Sequence, residues 1–443
     1  MNKIVYVKLE NKYIVIPVGN HVSHYFLELN DMAFDIMNKM MDGVEEEKII
    51  EEYEKIFLNV PSVKIDVQCC INMINGIFTE RKNNTYSKNE VFVHKNAIKE
   101  IQEYYVIRNK PYKVFLELTY NCNLRCPHCY IQEDLNKREK FRDKKEILNL
   151  IDEMEKQGVV ELNITGGEAT LHPDFLEIIR YATSKNMLVT LLTNGQNLYD
   201  KSYIDELKDC PLFEVRISLY GNQSYHNKFV GKSDAFEKSI WALKELRKTK
   251  GIGTGTYIVT NENYMYVDEL TEMLNRYNIP IILSPIIMPT THGDKTPTEL
   301  RLSRDQLKII MSKYATNLFG ASCTAGISRF RIRPDGVVNP CEMMRTIDLG
   351  NVYNDSFKKV MDGDKRKKWV EEYTTENKDG VEVLCSHQLK FAKADYSGQE
   401  IWEYYRSGES RPYETTSRTF TWKWIDKTME GLILNYGAGE IKY

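Results

Sequence analysis

Six apolar segments of five to seven residues alternate with amphipathic stretches between residues 114 and 284, and no other feature restricts the fold so strongly. They fall at 114–119, 159–164, 188–192, 213–219, 254–259 and 280–284. Between them, apolar stripes such as Ile147, Leu150, Ile151 and Met154, or Phe236, Ile240, Leu243 and Leu246, keep the spacing of a helix with one buried face. Six strand–helix units in succession predict an α/β fold. The expected form is a parallel sheet curled toward a partial (β/α)6 barrel over residues 113–300, with chemistry at the C-terminal ends of its strands.

Those strand ends carry unusual residues. LELTYNCNLRCPHCY, just past the first segment, spaces Cys122, Cys126 and Cys129 as C-x3-C-x2-C. Three thiolates on one loop can converge on an iron–sulfur cubane, which favours soft sulfur ligands, and they leave one iron open. A structural zinc site is the alternative, but zinc usually takes four ligands paired as CxxC, and no fourth lies nearby. Thr165, Gly166, Gly167 and Glu168 follow the second segment, and Thr193, Asn194 and Gly195 follow the third. The fourth ends in Ile217, Ser218, Leu219, Tyr220 and Gly221.

These elements together resemble the radical S-adenosylmethionine (SAM) superfamily, whose signature places an aromatic residue before the third cysteine, here His128. The resemblance implies that Cys122, Cys126 and Cys129 are the catalytic cysteines and ligate a [4Fe–4S] cluster. Its open iron would chelate SAM, and one-electron cleavage of SAM would start radical chemistry. The resemblance also implies SAM contacts from His128, Tyr130, Gly166, Gly167, Glu168, Asn194 and Ser218. In that pattern the glycines approach the methionyl group, Glu168 accepts from its amino group, and Ser218 meets the ribose or carboxylate. Tyr220 stands where the family has an aspartate. Strand alternation leaves Arg216 either facing outward or serving as a ligand.

Further along, Cys323, the run IRPDGVVNPC ending at Cys341, and LGNV at 349–352 resemble the SPASM/Twitch extension. There a hairpin surrounds an auxiliary iron–sulfur cluster, and Asp335-Gly336 is a plausible hairpin turn. One auxiliary cluster on Cys323, Cys341 and Cys385 is implied; the cysteine run needed for a second is missing. Cys385 has two other readings, a hydrogen-atom donor to a substrate radical or a buried thiol, and His387 is either a fourth ligand or an ordinary polar residue. Cys69, Cys70 and Cys210 read as plain thiols and the KRKK run at 365–368 as a solvated face. The extension is expected over 301–395, followed by an aromatic segment at 396–443, with Trp402, Trp422 and Trp424, of no assignable role.

Residues 4–9 and 12–18 alternate around a Glu-Asn-Lys turn and predict a hairpin. Asn30 suits the cap of a helix carrying Ala33, Phe34, Met37, Met40 and Met41 and closed by Gly43. A second stripe holds Ile49, Ile50, Tyr53 and Ile56, and a third, after Pro61, holds Val63, Val67, Cys70, Ile71 and Ile74. The pattern suggests a winged-helix-like module over 1–85, with a polar linker at 86–112. It resembles the PqqD-like recognition element, which captures the leader of a ribosomally made peptide by adding it as a strand. The resemblances jointly imply a maturase of a precursor peptide with a leader, forming thioether or carbon–carbon cross-links or epimerising residues. Flavodoxin or ferredoxin would supply its electrons. The alternatives are a radical enzyme of small-molecule cofactor biosynthesis, a sulfatase maturase, and a peptide-binding protein with vestigial chemistry.

A formal net charge of −3 gives no electrostatic case for nucleic acid or an acidic membrane. No apolar run approaches the ~20 residues that span a bilayer, and the N-terminus lacks the order of a signal peptide. Nine cysteines without an export signal read as ligands or buried thiols, and a cytoplasmic location is expected.

Overall fold

A short antiparallel sheet opens the chain in the computed structural model, which describes residues 3–18, 27–58, 60–79, 97–137, 140–249, 251–285, 287–288, 290–303, 305–306, 309–310, 324–341 and 345–378. The chain divides into two compact units, Met1–Ile101 and Gln102–Tyr443.

In the first unit, β1 (Lys3–Lys8) and β2 (Tyr13–Val18) form the expected hairpin, with Val5 opposite Ile16 and Val7 opposite Ile14. A third strand, β3 (Leu27–Leu29), pairs with β2. At three residues it is too short to show an alternating pattern in sequence. Helix α1 (Asp31–Met41) starts at Asn30, whose side chain accepts from the Ala33 N–H at 2.8 Å, satisfying one of the helix's orphan donors. Gly43, at φ 79°, follows its end. Helices α2 (Glu46–Ile56) and α3 (Val63–Thr79) complete a core of Val15, Phe34, Ile36, Met37, Ile49, Val67, Ile71 and Ile74. Full burial of side chains this size contributes roughly 1.5–3 kcal/mol each. The second stripe ends one turn early: Tyr53 is buried, but Ile56 is 59% exposed in the last turn of α2. Cys70 packs against the core and Cys69 is exposed.

Part of the span read as a linker is helical, since α4 covers Ala97–Ile107. Beyond it, the six alternating segments form six parallel strands in chain order: β4 (Lys113–Glu117), β5 (Glu161–Thr165), β6 (Leu188–Thr193), β7 (Glu214–Leu219), β8 (Gly253–Ile258) and β9 (Ile281–Ser284). The intervening helices are α5 (Lys144–Lys156), α6 (Phe175–Ser184), α7 (Lys201–Asp209), α8 (Gln223–Val230), α9 (Ala235–Thr249) and α10 (Val267–Asn275). Their apolar stripes, including Ile147, Leu150, Ile151 and Met154, are buried with the strands in one core. Cys210 is part of that core, and its thiol lies 3.6 Å from the Glu206 carbonyl.

The sheet does not end at β4. Strand β10 (Arg329–Ile332) pairs parallel to β4, with Phe330 opposite Val114, and β11 (Val337–Asn339) returns antiparallel to it. The turn between them holds Gly336 at φ 85°, where a Cβ would lie 2.3 Å from the Tyr353 ring, so only glycine fits. The short β12 (Gly350–Asn351) completes an open order, β12-β11-β10-β4-β5-β6-β7-β8-β9. Helices α11 (Phe357–Met361) and α12 (Asp364–Lys378) follow. The KRKK run is not uniformly solvated. Arg366 is buried and donates to the carbonyls of Gly326 at 3.0 Å and Ile327 at 2.8 Å, one turn from the buried Trp369. Neighbouring helical positions face different ways, so four consecutive cations cannot all share one environment.

Candidate functional site

The strand order brings the loops after β4, β5, β6 and β7 side by side at the C-terminal end of the parallel sheet. The loop after β4 holds all three cysteines. Asn136, at φ 54°, clasps its start: its Oδ1 accepts from the Cys122 N–H at 2.9 Å, and its Nδ2 donates to the Cys122 carbonyl at 3.2 Å. Gln132 Nε2 donates to the Pro127 carbonyl at 2.6 Å, and the Cys129 N–H to the Cys126 carbonyl at 3.1 Å. Sequence reasoning passed over Asn136 and Gln132 because nothing in their spacing marks them. Cys122 and Cys126 pack on a small apolar cluster of Leu124, Tyr220, Phe229, Val230 and Ala235.

Burial pushes the Cys126 thiol up to about 12 and Cys129 up to about 11, and raises Cys122 as well. Each of the later two thiols also feels the charge of Cys122. Among the described residues, no three His, Cys, Asp or Glu side chains could hold a single metal ion.

Gly166 and Gly167 serve a contact within the chain. A Cβ on Gly166, at φ 146°, would lie 2.3 Å from the Thr119 carbonyl oxygen, and one on Gly167 would lie 2.6 Å from that of Asn121. Without side chains the β5 loop lies directly on the cysteine loop, where Gly167 N–H donates to Thr119 at 2.7 Å and Glu168 N–H to Asn121 at 2.8 Å. The Glu168 carboxylate is 1% exposed. Its Oε1 accepts from the Thr170 hydroxyl at 2.6 Å, the Thr193 hydroxyl at 2.7 Å and the Thr170 N–H at 3.1 Å; its Oε2 accepts from the Asn194 N–H at 2.7 Å. Burial still holds Glu168 above the ordinary carboxylate range. Asn194 Nδ2 in turn donates to Asn123 at 2.8 Å and lies 3.9 Å from Cys122 Sγ. Glu168 and Asn194 thus knit three strand ends together around the first cysteine.

His128 lies 5.1 Å from the Tyr220 ring centroid and stacks on Phe229 at 5.5 Å. Burial lowers it to about 4, so the ring is neutral at pH 7, and its buried Nδ1 meets no hydrogen-bond partner among the described residues. Burial, and then the neighbouring Cys126 sulfur, raises the Tyr220 hydroxyl well above its usual value, with Ser218 acting in the opposite direction. Arg216 pairs with Glu214 at 2.6 Å, two residues along the same face of β7.

A buried charged network lies beneath the cysteine loop, and sequence reasoning missed it. Glu117, the last residue of β4, is paired by Arg331 of β10 and by Arg345 at 2.5 Å. Arg331 also donates to Asn339 of β11 at 2.6 Å and to the Tyr120 hydroxyl at 2.6 Å. Burial opposes the Glu117 carboxylate, but the two guanidiniums overcome it and hold it at about 2. The Arg345 guanidinium covers the Tyr130 ring at 4.3 Å. Cys341, just past β11, is buried. Cys323, Cys385, His387 and the aromatic segment lie outside the described residues.

Residues 116–274 match the family model of the radical SAM superfamily, and residues 323–387 match SPASM, an iron–sulfur cluster-binding domain. The mycofactocin maturase MftC of Mycobacterium tuberculosis is 28% identical over 249 residues, covering 54% of this chain and 62% of its own length. This chain therefore spans less than two thirds of that relative. The subtilosin biosynthesis protein AlbA of Bacillus subtilis is 25% identical over 372 residues, 76% of each chain. A crystal structure of Streptococcus suis SuiB bound to precursor peptide SuiA shares the fold, with a TM-score of 0.52 at 14% identity over 82% of this chain and 87% of that one.

A radical SAM domain implies a [4Fe–4S] cluster and SAM, and the SPASM domain implies an auxiliary cluster. The donor set fits the first. Three thiols lie together where burial disfavours the thiolate, and a bound iron–sulfur cluster would supply the positive charge that favours their anionic form.

Proposed function

We propose that this radical SAM chain, with its domain at 116–274 and its cluster-binding domain at 323–387, modifies a ribosomally made precursor peptide. The observation that carries the reading is the cysteine loop itself, held by Asn136, Glu168 and Asn194 at the end of a parallel sheet that continues into the Cys341 hairpin. Relatives named as maturases, and SuiB with its bound precursor, support a peptide substrate.

Cys122, Cys126 and Cys129 would hold the cluster, and Cys341 would be one ligand of the auxiliary cluster, with Cys323 and Cys385. When bound, the cluster supplies the electron that cleaves SAM to a hydrogen-abstracting carbon radical. The Glu168 and Asn194 hydrogen bonds fix the three loops before SAM arrives, so little reorganisation is needed on binding. Among the described residues, Oε2 of Glu168 accepts only from the Asn194 N–H and keeps a lone pair for the amino group of SAM. His128, Tyr220 and Phe229 wall Cys126 with aromatic surface that excludes water. The sheet is read as a partial (β/α)6 barrel with SAM at its open end. The first unit is read as a winged-helix-like, PqqD-like element whose exposed sheet edge takes up the leader. The electron donor is a flavodoxin or ferredoxin, and the enzyme works in the cytoplasm. Among the described residues, no helix is long and apolar enough to cross a membrane.

The test is anaerobic reconstitution of the full chain and of Cys126→Ala, followed by assay of 5′-deoxyadenosine and mass spectrometry of the candidate precursor. Wild type should release 5′-deoxyadenosine and change the peptide, by loss of two hydrogens for a cross-link or by stereochemistry alone for epimerisation. Substantial 5′-deoxyadenosine from Cys126→Ala would sink the cluster assignment.

A further inference from the structure

Arg345 belongs to the C-terminal segment, yet its guanidinium sits at the cysteine loop. It lies 4.3 Å over the ring of Tyr130, the residue after Cys129, and donates to Glu117 at 2.5 Å and toward the Tyr120 hydroxyl at 3.5 Å. Arg345 is 8% exposed and Glu117 2% exposed, so neither charge is screened by water. A guanidinium does not lose its proton in a protein, so this positive charge is permanent.

An iron–sulfur cluster becomes more negative when it takes up an electron, so a fixed cation beside a ligand favours the reduced form and a fixed anion disfavours it. Charges outside the ligand shell are an established means of setting such potentials. We propose that Arg345 is a positioning residue that raises the reduction potential of the cluster held by Cys122, Cys126 and Cys129, and that Glu117 both orients it and opposes its effect. The cluster-binding extension thereby sets the electron affinity of the SAM-cleaving centre on the neighbouring strand. No bond is made or broken in this role; one electron from an external reductant enters the cluster. The inference rests on the three cysteines holding that cluster.

The test is a redox titration of the reconstituted full chain with dithionite, followed by electron paramagnetic resonance of the signal that changes shape when SAM is added. Wild type is compared with Arg345→Gln, Arg345→Lys and Glu117→Gln, each checked for iron content and thermal melting. The midpoint potential should fall in Arg345→Gln, stay near wild type in Arg345→Lys, and rise in Glu117→Gln. A purely structural network would lower the melting temperature in both Gln variants without moving the potentials in opposite directions, and that result overturns the proposal. If Arg345→Gln fails to hold iron, the sign of the Glu117→Gln shift decides: a rise supports the proposal, and no shift or a fall rejects it. A wild-type chain with no SAM-responsive signal would instead overturn the proposed function.

Discussion

The backbone N–H of Asn194 donates to Oε2 of Glu168 at 2.7 Å, tying the end of β6 to the loop after β5. Through its own side chain, Asn194 extends that tie to Asn123 and to within 3.9 Å of Cys122 Sγ. One buried carboxylate therefore helps hold the first cysteine, which Asn136 clasps directly from the other side of the loop sequence.

Glu168→Gln replaces an oxygen that accepts from three donors, or the one facing Asn194, with an NH2 group that has nothing to donate to there. A buried polar group left without a partner costs about 1–3 kcal/mol. The metal-free chain should melt at a lower temperature, and the reconstituted chain should bind SAM weakly. Calorimetry and equilibrium dialysis measure the two effects. Wild-type values for both would mean that the four hydrogen bonds contribute little.

Glu117 makes a prediction about acid stability. Its folded value of about 2 lies below the ordinary 4.5, so between those pH values the unfolded chain binds more protons at this site than the folded one. The contribution is fully present above pH 4.5 and is lost as pH falls through 2. A shift of that size corresponds to roughly 3 kcal/mol, an order-of-magnitude figure for a carboxylate held by two arginines. Urea unfolding of the metal-free chain should therefore fall more steeply with acid in wild type than in Glu117→Gln. Parallel pH profiles for the two would show that the pairing does not act on stability.

The sequence revealed what is local. Six strands and their helices were readable because each segment is long enough to show a period, and the cysteine, glycine and TNG elements each sit within a few residues at one strand end. The rest depends on pairings between distant residues. Arg345 meets Glu117 across 228 positions, and neither residue has a local pattern that marks it as buried. The parallel pairing of β10 with β4 is equally invisible, so the extension reads as a separate domain although it continues the same sheet. The glycines were legible as glycines, but their partner in the structure is the backbone of the cysteine loop at Thr119 and Asn121. Arg366 was misread because a charge run describes composition, whereas burial on a helix depends on which way each position faces.

The division of the chain yields a prediction about substrate capture. The unit Met1–Ile101 has a core of its own, from Val15 through Ile74, while Cys122, Cys126, Cys129, Glu168 and Asn194 all belong to the other unit. A cut that removes residues 1–96 spares α4 and every loop of the cysteine site. The truncated chain should still take up iron at Cys122, Cys126 and Cys129 and should still cleave SAM without peptide. Capture of a leader by strand addition relies on main-chain hydrogen bonds at an open sheet edge, and the deletion removes that edge. Turnover of full-length precursor should therefore drop at least tenfold, about 1.4 kcal/mol or more of lost binding. A labelled leader peptide titrated against the full chain, the truncation and the isolated first unit reads binding directly. It should bind the full chain and the isolated unit with similar affinity and the truncation hardly at all. Equal precursor turnover with and without residues 1–96 would mean that this unit does not recognise a leader, and the substrate would then have to be sought among small molecules.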